Sequence, residues 1–160
     1  MKKLPEDLIG NILHERELKL VAAESCTGGL ISSRITDVPG SSEYFLGSVV
    51  AYAYEVKVTS LNVSWDTLNK YGAVSRETVL EMAYGARNRL GGNIVISVSG
   101  IAGPGGGTPE KPVGTVWIGL VSSTGEWTKE FHFLGNREQN KSSAADAALQ
   151  LLLDYLQNRL

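Results

Sequence analysis

The chain is 160 residues long, 42% hydrophobic, with a formal net charge of −2. That length suits one compact domain spanning residues 1–160 with a true core, and the weak charge with dispersed basic residues argues against a protein that grips a nucleic-acid backbone. A single cysteine excludes an internal disulfide and a multi-thiolate zinc site within one chain. No apolar run approaches the roughly 20 residues that cross a bilayer, and the start at Met1-Lys2-Lys3 lacks the apolar segment of a signal peptide, so the expectation is a cytoplasmic protein with no membrane or nucleic-acid partner.

In chain order, Leu4, Leu8, Ile9, Ile12 and Leu13 recur at helical spacing behind Pro5, Glu6 and Asp7, which suit a first turn. Leu18–Ala23 reads as a buried strand, and after Gly28-Gly29 a helix is predicted to about Thr36, before Pro39-Gly40. Tyr44–Tyr52 is rich in β-branched and aromatic residues and reads as a second strand. Glu55–Leu61 and Trp65–Lys70 read as short helical turns, and Ser75 caps a longer helix with Val79, Met82, Ala83, Ala86 and Leu90 on one face. Asn93–Val98 is a compact apolar strand leading into a glycine-rich segment, Ser99–Gly107. Val113–Val121 and Trp127–Phe133 flank Ser122-Ser123-Thr124-Gly125 as a β-hairpin, and a last helix begins near Arg137. This alternation predicts an α/β fold: a three-layer α/β/α sandwich with a mixed, mainly parallel sheet and one hairpin.

Residue types then narrow the chemistry. His14 and His132 are the only histidines, and neither stands at metal-ligand spacing from another good ligand, so no metal site is expected. The glycine segment fits neither a Walker loop nor a dinucleotide fingerprint. It follows a strand, however, and its amides either cradle an anion or belong to a plain surface loop. Ala23-Glu24-Ser25-Cys26-Thr27-Gly28-Gly29 closes a strand and opens a helix, a turn that holds small polar side chains near helix N-terminal amides. Two readings of it stand: Ser25 is a nucleophile, or Ser25 or Thr27 merely caps the helix. Cys26 reads as a small buried residue. With no histidine in support, a lysine of lowered pKa is the activator the chemistry allows. Lys57, beyond the second strand, is the candidate, although spacing alone gives a solvated helix lysine.

Together these segments resemble the C-terminal domain of the CinA competence/damage-inducible family and its free-standing nicotinamide-nucleotide amidohydrolase relatives. The resemblance is carried by Ala23–Gly29, Val38–Ser42, Tyr52 with Lys57, Gly72–Ser75, Ser99–Pro104 and Lys111–Val116, in that order over nearly the whole chain. It implies hydrolysis of the carboxamide of nicotinamide mononucleotide to nicotinate mononucleotide and ammonia, without metal or cofactor. It also implies a small-molecule substrate as partner and self-association into a homo-oligomer. Full-length relatives carry a further molybdopterin-binding-like domain, for which 160 residues leave no room.

Carried onto this sequence, the resemblance makes Ser25 the nucleophile, Lys57 the general base and Tyr52 the residue that relays or orients the proton. Amides around Cys26, Thr27, Gly28 and Gly29 become the oxyanion hole, while Gly100, Gly103, Gly105, Gly106, Thr108 and Arg137 hold the ribose phosphate. Two positions depart from the family pattern: Ala53-Tyr54 replaces Ser-Asn, and Lys141 replaces a second arginine, losing its bidentate fork. The alternatives are a catalytically weak nucleotide-binding module of the same fold, and an enzyme with Cys26 as nucleophile.

Overall fold

The computed structural model describes residues 4–160; the expectation for the Met1-Lys2-Lys3 start lies outside them. Five strands form one sheet in the order β2-β1-β3-β4-β5: β1 (Leu20–Glu24), β2 (Phe45–Val50), β3 (Ile94–Gly100), β4 (Thr115–Ser122) and β5 (Gly125–His132). The β2, β1 and β3 strands are parallel, and β3-β4-β5 continue antiparallel through the hairpin. Among the described residues six α-helices flank them, besides a short 3-10 helix at Ser41–Glu43: α1 (Pro5–Glu15), α2 (Leu30–Thr36), α3 (Tyr54–Leu61), α4 (Trp65–Tyr71), α5 (Arg76–Leu90) and α6 (Arg137–Leu156). The mixed three-layer sandwich is therefore the observed architecture. Among the described residues, no helix is long and apolar enough to cross a membrane.

Two apolar clusters occupy the two faces of the sheet, as strand alternation requires. Ile94, Ile96 and Val98 of β3 point to the side covered by α1, α2 and α6, where Leu13, Ile31, Ala148 and Leu152 are buried. Val95 points to the other side, against Leu61 of α3 and Met82, Ala83 and Ala86 of α5. Local capping sets the helix starts: Ser64 and Ser75 accept from the Thr67 and Thr78 amides, and Asn136 and Gln139 form a reciprocal capping box on α6.

One close approach decides where the site can form. At Gly85 on α5, a Cβ would stand 1.7 Å from the Leu61 carbonyl oxygen. Only glycine lets α3 settle this closely on α5, and α3 is the helix that carries Lys57. On the opposite face, Arg34 of α2 forms a bidentate pair with Glu6 of α1 at 3.0 Å and also meets Asp146 of α6, locking those three helices together.

Candidate active site

The parallel strands β1, β2 and β3 end on one side of the sheet, where open α/β sheets gather ligand sites. Ser25 is the first residue beyond β1, and its amide still donates to the Val98 carbonyl at 3.1 Å, so the serine is held in the line of the sheet. Chain alternation aims Glu24 toward α2 and Ser25 toward α3. There Lys57 Nζ lies 2.9 Å from Ser25 Oγ. The same nitrogen donates to the carbonyls of Ala51 at 2.9 Å and Tyr52 at 3.0 Å.

Lys57 is only 1% exposed, so its reading as a solvated helix lysine is overturned. The reason is tertiary: α3 packs on α5 at Gly85, and the turn after β2 presents two carbonyls to the amine. Among the described residues no carboxylate stands against the amine to favour its charge, and burial pushes its pKa down from 10.5 to about 8. With two N–H groups spent on carbonyls, the remaining valence of the amine faces the serine hydroxyl.

The capping reading of Ser25 and Thr27 also gives way. The N-cap of α2 is Gly29, which has no side chain to offer, and the free amides of the helix are taken by Glu24 instead. This carboxylate, fully buried at the end of β1, accepts from the Gly29 amide at 3.2 Å, the Ile31 amide at 3.0 Å and the Ser32 amide at 3.0 Å. It also accepts from the Thr27 and Ser32 hydroxyls, each at 2.6 Å. A negative charge on the helix N-terminus is favourable there, and it fixes both ends of the turn that carries Ser25. Glu24→Gln keeps the shape but turns one acceptor into a donor facing donors. The expected result is a loss of about 2 to 3 kcal/mol, read in a thermal melt as a midpoint lowered by roughly 5 to 10 °C for a chain of this size.

Because Glu24 is used this way, the amides of the turn are not equivalent. The Gly28 amide donates to the Ser25 carbonyl at 3.0 Å and the Gly29 amide to Glu24. The Cys26 and Thr27 amides donate to no other residue among the described residues. Cys26 itself lies in the buried cluster on the α6 face, and burial pushes its thiol up to about 12. A thiol that stays protonated there is a poor nucleophile.

A cavity of about 280 Å³ opens over this arrangement, lined by Ser25, Cys26 and Lys57 and by Gly100, Gly103, Gly105 and Gly106. Arg137 reaches across its mouth from α6, donating to the Gly103 carbonyl at 2.6 Å and to the Tyr52 hydroxyl at 2.7 Å. Tyr52 thus meets Lys57 through its carbonyl, while its ring and hydroxyl lie exposed at the rim with Arg137. Thr27, Gly28 and Gly29 line a neighbouring open cleft of about 720 Å³, shared with Arg137 and Lys141. Thr108 stands apart from both cavities: its hydroxyl accepts from the Lys111 amide, and its own amide donates to the Lys111 carbonyl, closing a turn.

Glu24, Ser99, Val74 and Tyr54 also shape the site, although the sequence reading gave none of them a role in it. Ser99, Val74 and Tyr54 line the Ser25 cavity. The signal for Glu24 was an acid closing an otherwise apolar strand, and that for Ser99 the alternation of serines at 97 and 99 beside buried valines.

Comparison with known proteins identifies the family and the fold. The profile of the CinA C-terminal domain matches residues 2–156. The chain is 52% identical over 154 residues to a Halothermothrix orenii protein named as competence-damage inducible, covering 96% of this chain and 37% of that protein. It is 48% identical over 149 residues to a CinA-like protein of Desulfotalea psychrophila, covering 93% and 36%. The chain therefore spans little more than a third of the length of these curated relatives. Among solved structures, the competence/damage inducible protein CihA from Agrobacterium tumefaciens superposes with a TM-score of 0.89 at 36% identity, covering 98% of this chain and 99% of that one. The competence damage-inducible protein A of Klebsiella pneumoniae gives 0.91 at 33% identity, covering 97% and 98%. The chain belongs to the CinA C-terminal domain family.

Proposed function

We propose that this protein is an amidohydrolase that converts the carboxamide of nicotinamide mononucleotide to the carboxylate and ammonia, with Ser25 as nucleophile and Lys57 as general base. The observation that carries the reading is the buried amine of Lys57, 2.9 Å from the Ser25 hydroxyl and depressed to about 8. An amine poised near neutral pH is the property a general base requires, and a structural lysine has no need of it.

In the reaction, the neutral Lys57 amine takes the Ser25 proton as Oγ bonds to the carboxamide carbon. The carbonyl electron pair moves to oxygen, and the Cys26 and Thr27 amides, which donate to no other residue among those described, are the donors for that oxyanion. Collapse of the intermediate breaks the C–N bond, and the proton on Lys57 leaves with nitrogen as ammonia. Water then adds to the Ser25 ester with Lys57 again as base, releasing the acid and restoring the hydroxyl. The nicotinamide ring of a mononucleotide is a pyridinium cation, for which the Tyr54 ring in the cavity wall is a suitable face. Arg137 at the mouth supplies the positive charge for a phosphate. Self-association and a small-molecule partner belong to this proposal, as expected of the family resemblance.

The test compares ammonia release from nicotinamide mononucleotide, its riboside and free nicotinamide. Turnover strongest with the mononucleotide supports the reading. Tight mononucleotide binding by calorimetry without any ammonia favours the binding-module alternative instead.

A further inference from the structure

One polar group in the cavity is unused by the mechanism above. Ser99 lies at the end of β3, only 1% exposed, and no hydrogen bond among the described residues reaches its hydroxyl. Its neighbour two residues back, Ser97, shows what a satisfied serine in this strand looks like: that hydroxyl donates to the Val79 carbonyl of α5 at 2.6 Å. The Ser99 hydroxyl is not sealed away, since among the described residues the one enclosed side-chain oxygen without a partner is Tyr44 Oη; it opens instead onto the cavity it lines, where a bound group can meet it.

Strand register places that hydroxyl beside the nucleophile. Glu24 pairs with Val98 in the parallel β1-β3 ladder, and the Ser25 amide extends the ladder to the Val98 carbonyl. Ser25 and Ser99 are thus the next pair across, and both point to the α3 and α5 side. Lys57 is committed to Ser25 and two carbonyls, so a second group is needed to hold the nitrogen of a carboxamide attacked by Ser25.

We infer that Ser99 is that group: its Oγ accepts a hydrogen bond from the N–H of the scissile carboxamide, turning the nitrogen away from the Cys26 and Thr27 amides. This rests on the amidohydrolase reading and adds a residue that recognises the amide as an amide. An ester at the same carbon has no N–H to offer, which gives the assignment a signature that a merely structural serine lacks.

Ser99→Ala and Ser99→Cys are assayed with nicotinamide mononucleotide and with the methyl ester of nicotinate mononucleotide. The expected result is a loss of about tenfold to a hundredfold in kcat/KM for the amide and less than about threefold for the ester. The cysteine variant keeps the volume of the site with a weak acceptor, and gives the same contrast should the alanine protein not fold. Equal losses on both substrates, or none on the amide, overturn the role of Ser99 while active wild-type protein leaves the amidohydrolase reading standing. Wild-type protein that releases no ammonia removes both.

Discussion

Alanine at position 25 is expected to lower ammonia release from nicotinamide mononucleotide by at least about a thousandfold, with little change in mononucleotide binding. In the proposed reaction the hydroxyl is the atom that bonds to the carboxamide carbon; Cys26 and Ser99 share the cavity wall, but it is Ser25 Oγ that the Lys57 amine faces. Cys26 is adjacent in sequence but packs into the opposite face of the sheet, and its thiol is held near 12 by burial. Ser25→Ala removes one small polar atom from a residue whose backbone is fixed by the Val98 carbonyl and by the Glu24 network, so the fold is expected to persist. Steady-state rates with calorimetric binding on the same protein check both halves. Retained turnover in Ser25→Ala, lost instead in Cys26→Ser, reverses the assignment of the nucleophile.

Lys57→Met is expected to lower turnover by roughly a thousandfold, the scale of a lost general base. The pH profile of wild-type kcat/KM is the more particular result. The amine must be neutral to take the Ser25 proton, so activity rises with pH and levels off above about 8. At pH 7, about a tenth of the plateau is expected. Lys57→Met retains no such inflection. The same pKa has a consequence for stability, with the opposite partner in view. Between about 8 and 10.5 the unfolded chain binds a proton on Lys57 that the folded chain does not, so this residue makes stability rise with pH across that window. Below about 8 both states are protonated and the contribution is flat. Denaturant melts of wild type against Lys57→Met between pH 7 and 11 read the difference.

Much of the frame was legible because local signals agree with tertiary demands. Ser75 stands where a helix starts, the Leu20–Ala23 part of the Leu18–Ala23 run is buried on both sides as a parallel strand requires, and Ser122–Gly125 spans the hairpin turn. Strand limits moved by a residue or two. Leu18 and Lys19 precede β1, and Asn93 spends its side chain on the Lys19 amide at 2.6 Å before β3 begins.

What sequence could not show is how distant elements change a residue's surroundings. Lys57 reads as solvated in its own helix, and only the seating of α3 over Gly85 with the carbonyls of Ala51 and Tyr52 makes it a buried amine. Ser25 and Thr27 look like caps because caps are chosen by type and position, yet a carboxylate one residue earlier reaches the same amides with greater effect. The phosphate grip expected from the resemblance combined glycines and Thr108 of the loop after β3 with Arg137. In the structure, Arg137 bridges that loop to Tyr52, and Lys141 faces the adjoining cleft beside Gly28, an arrangement set by how α6 crosses the sheet.

The most direct test of a covalent serine mechanism is partitioning. Wild-type protein is incubated with nicotinamide mononucleotide in the presence of hydroxylamine, and the products are separated. If Ser25 carries the acyl group, hydroxylamine competes with water for one shared ester, and the hydroxamate of nicotinate mononucleotide appears at the expense of the acid while ammonia release keeps pace with their sum. Ammonia with acid alone, unchanged as hydroxylamine is raised, contradicts an acyl-enzyme on Ser25.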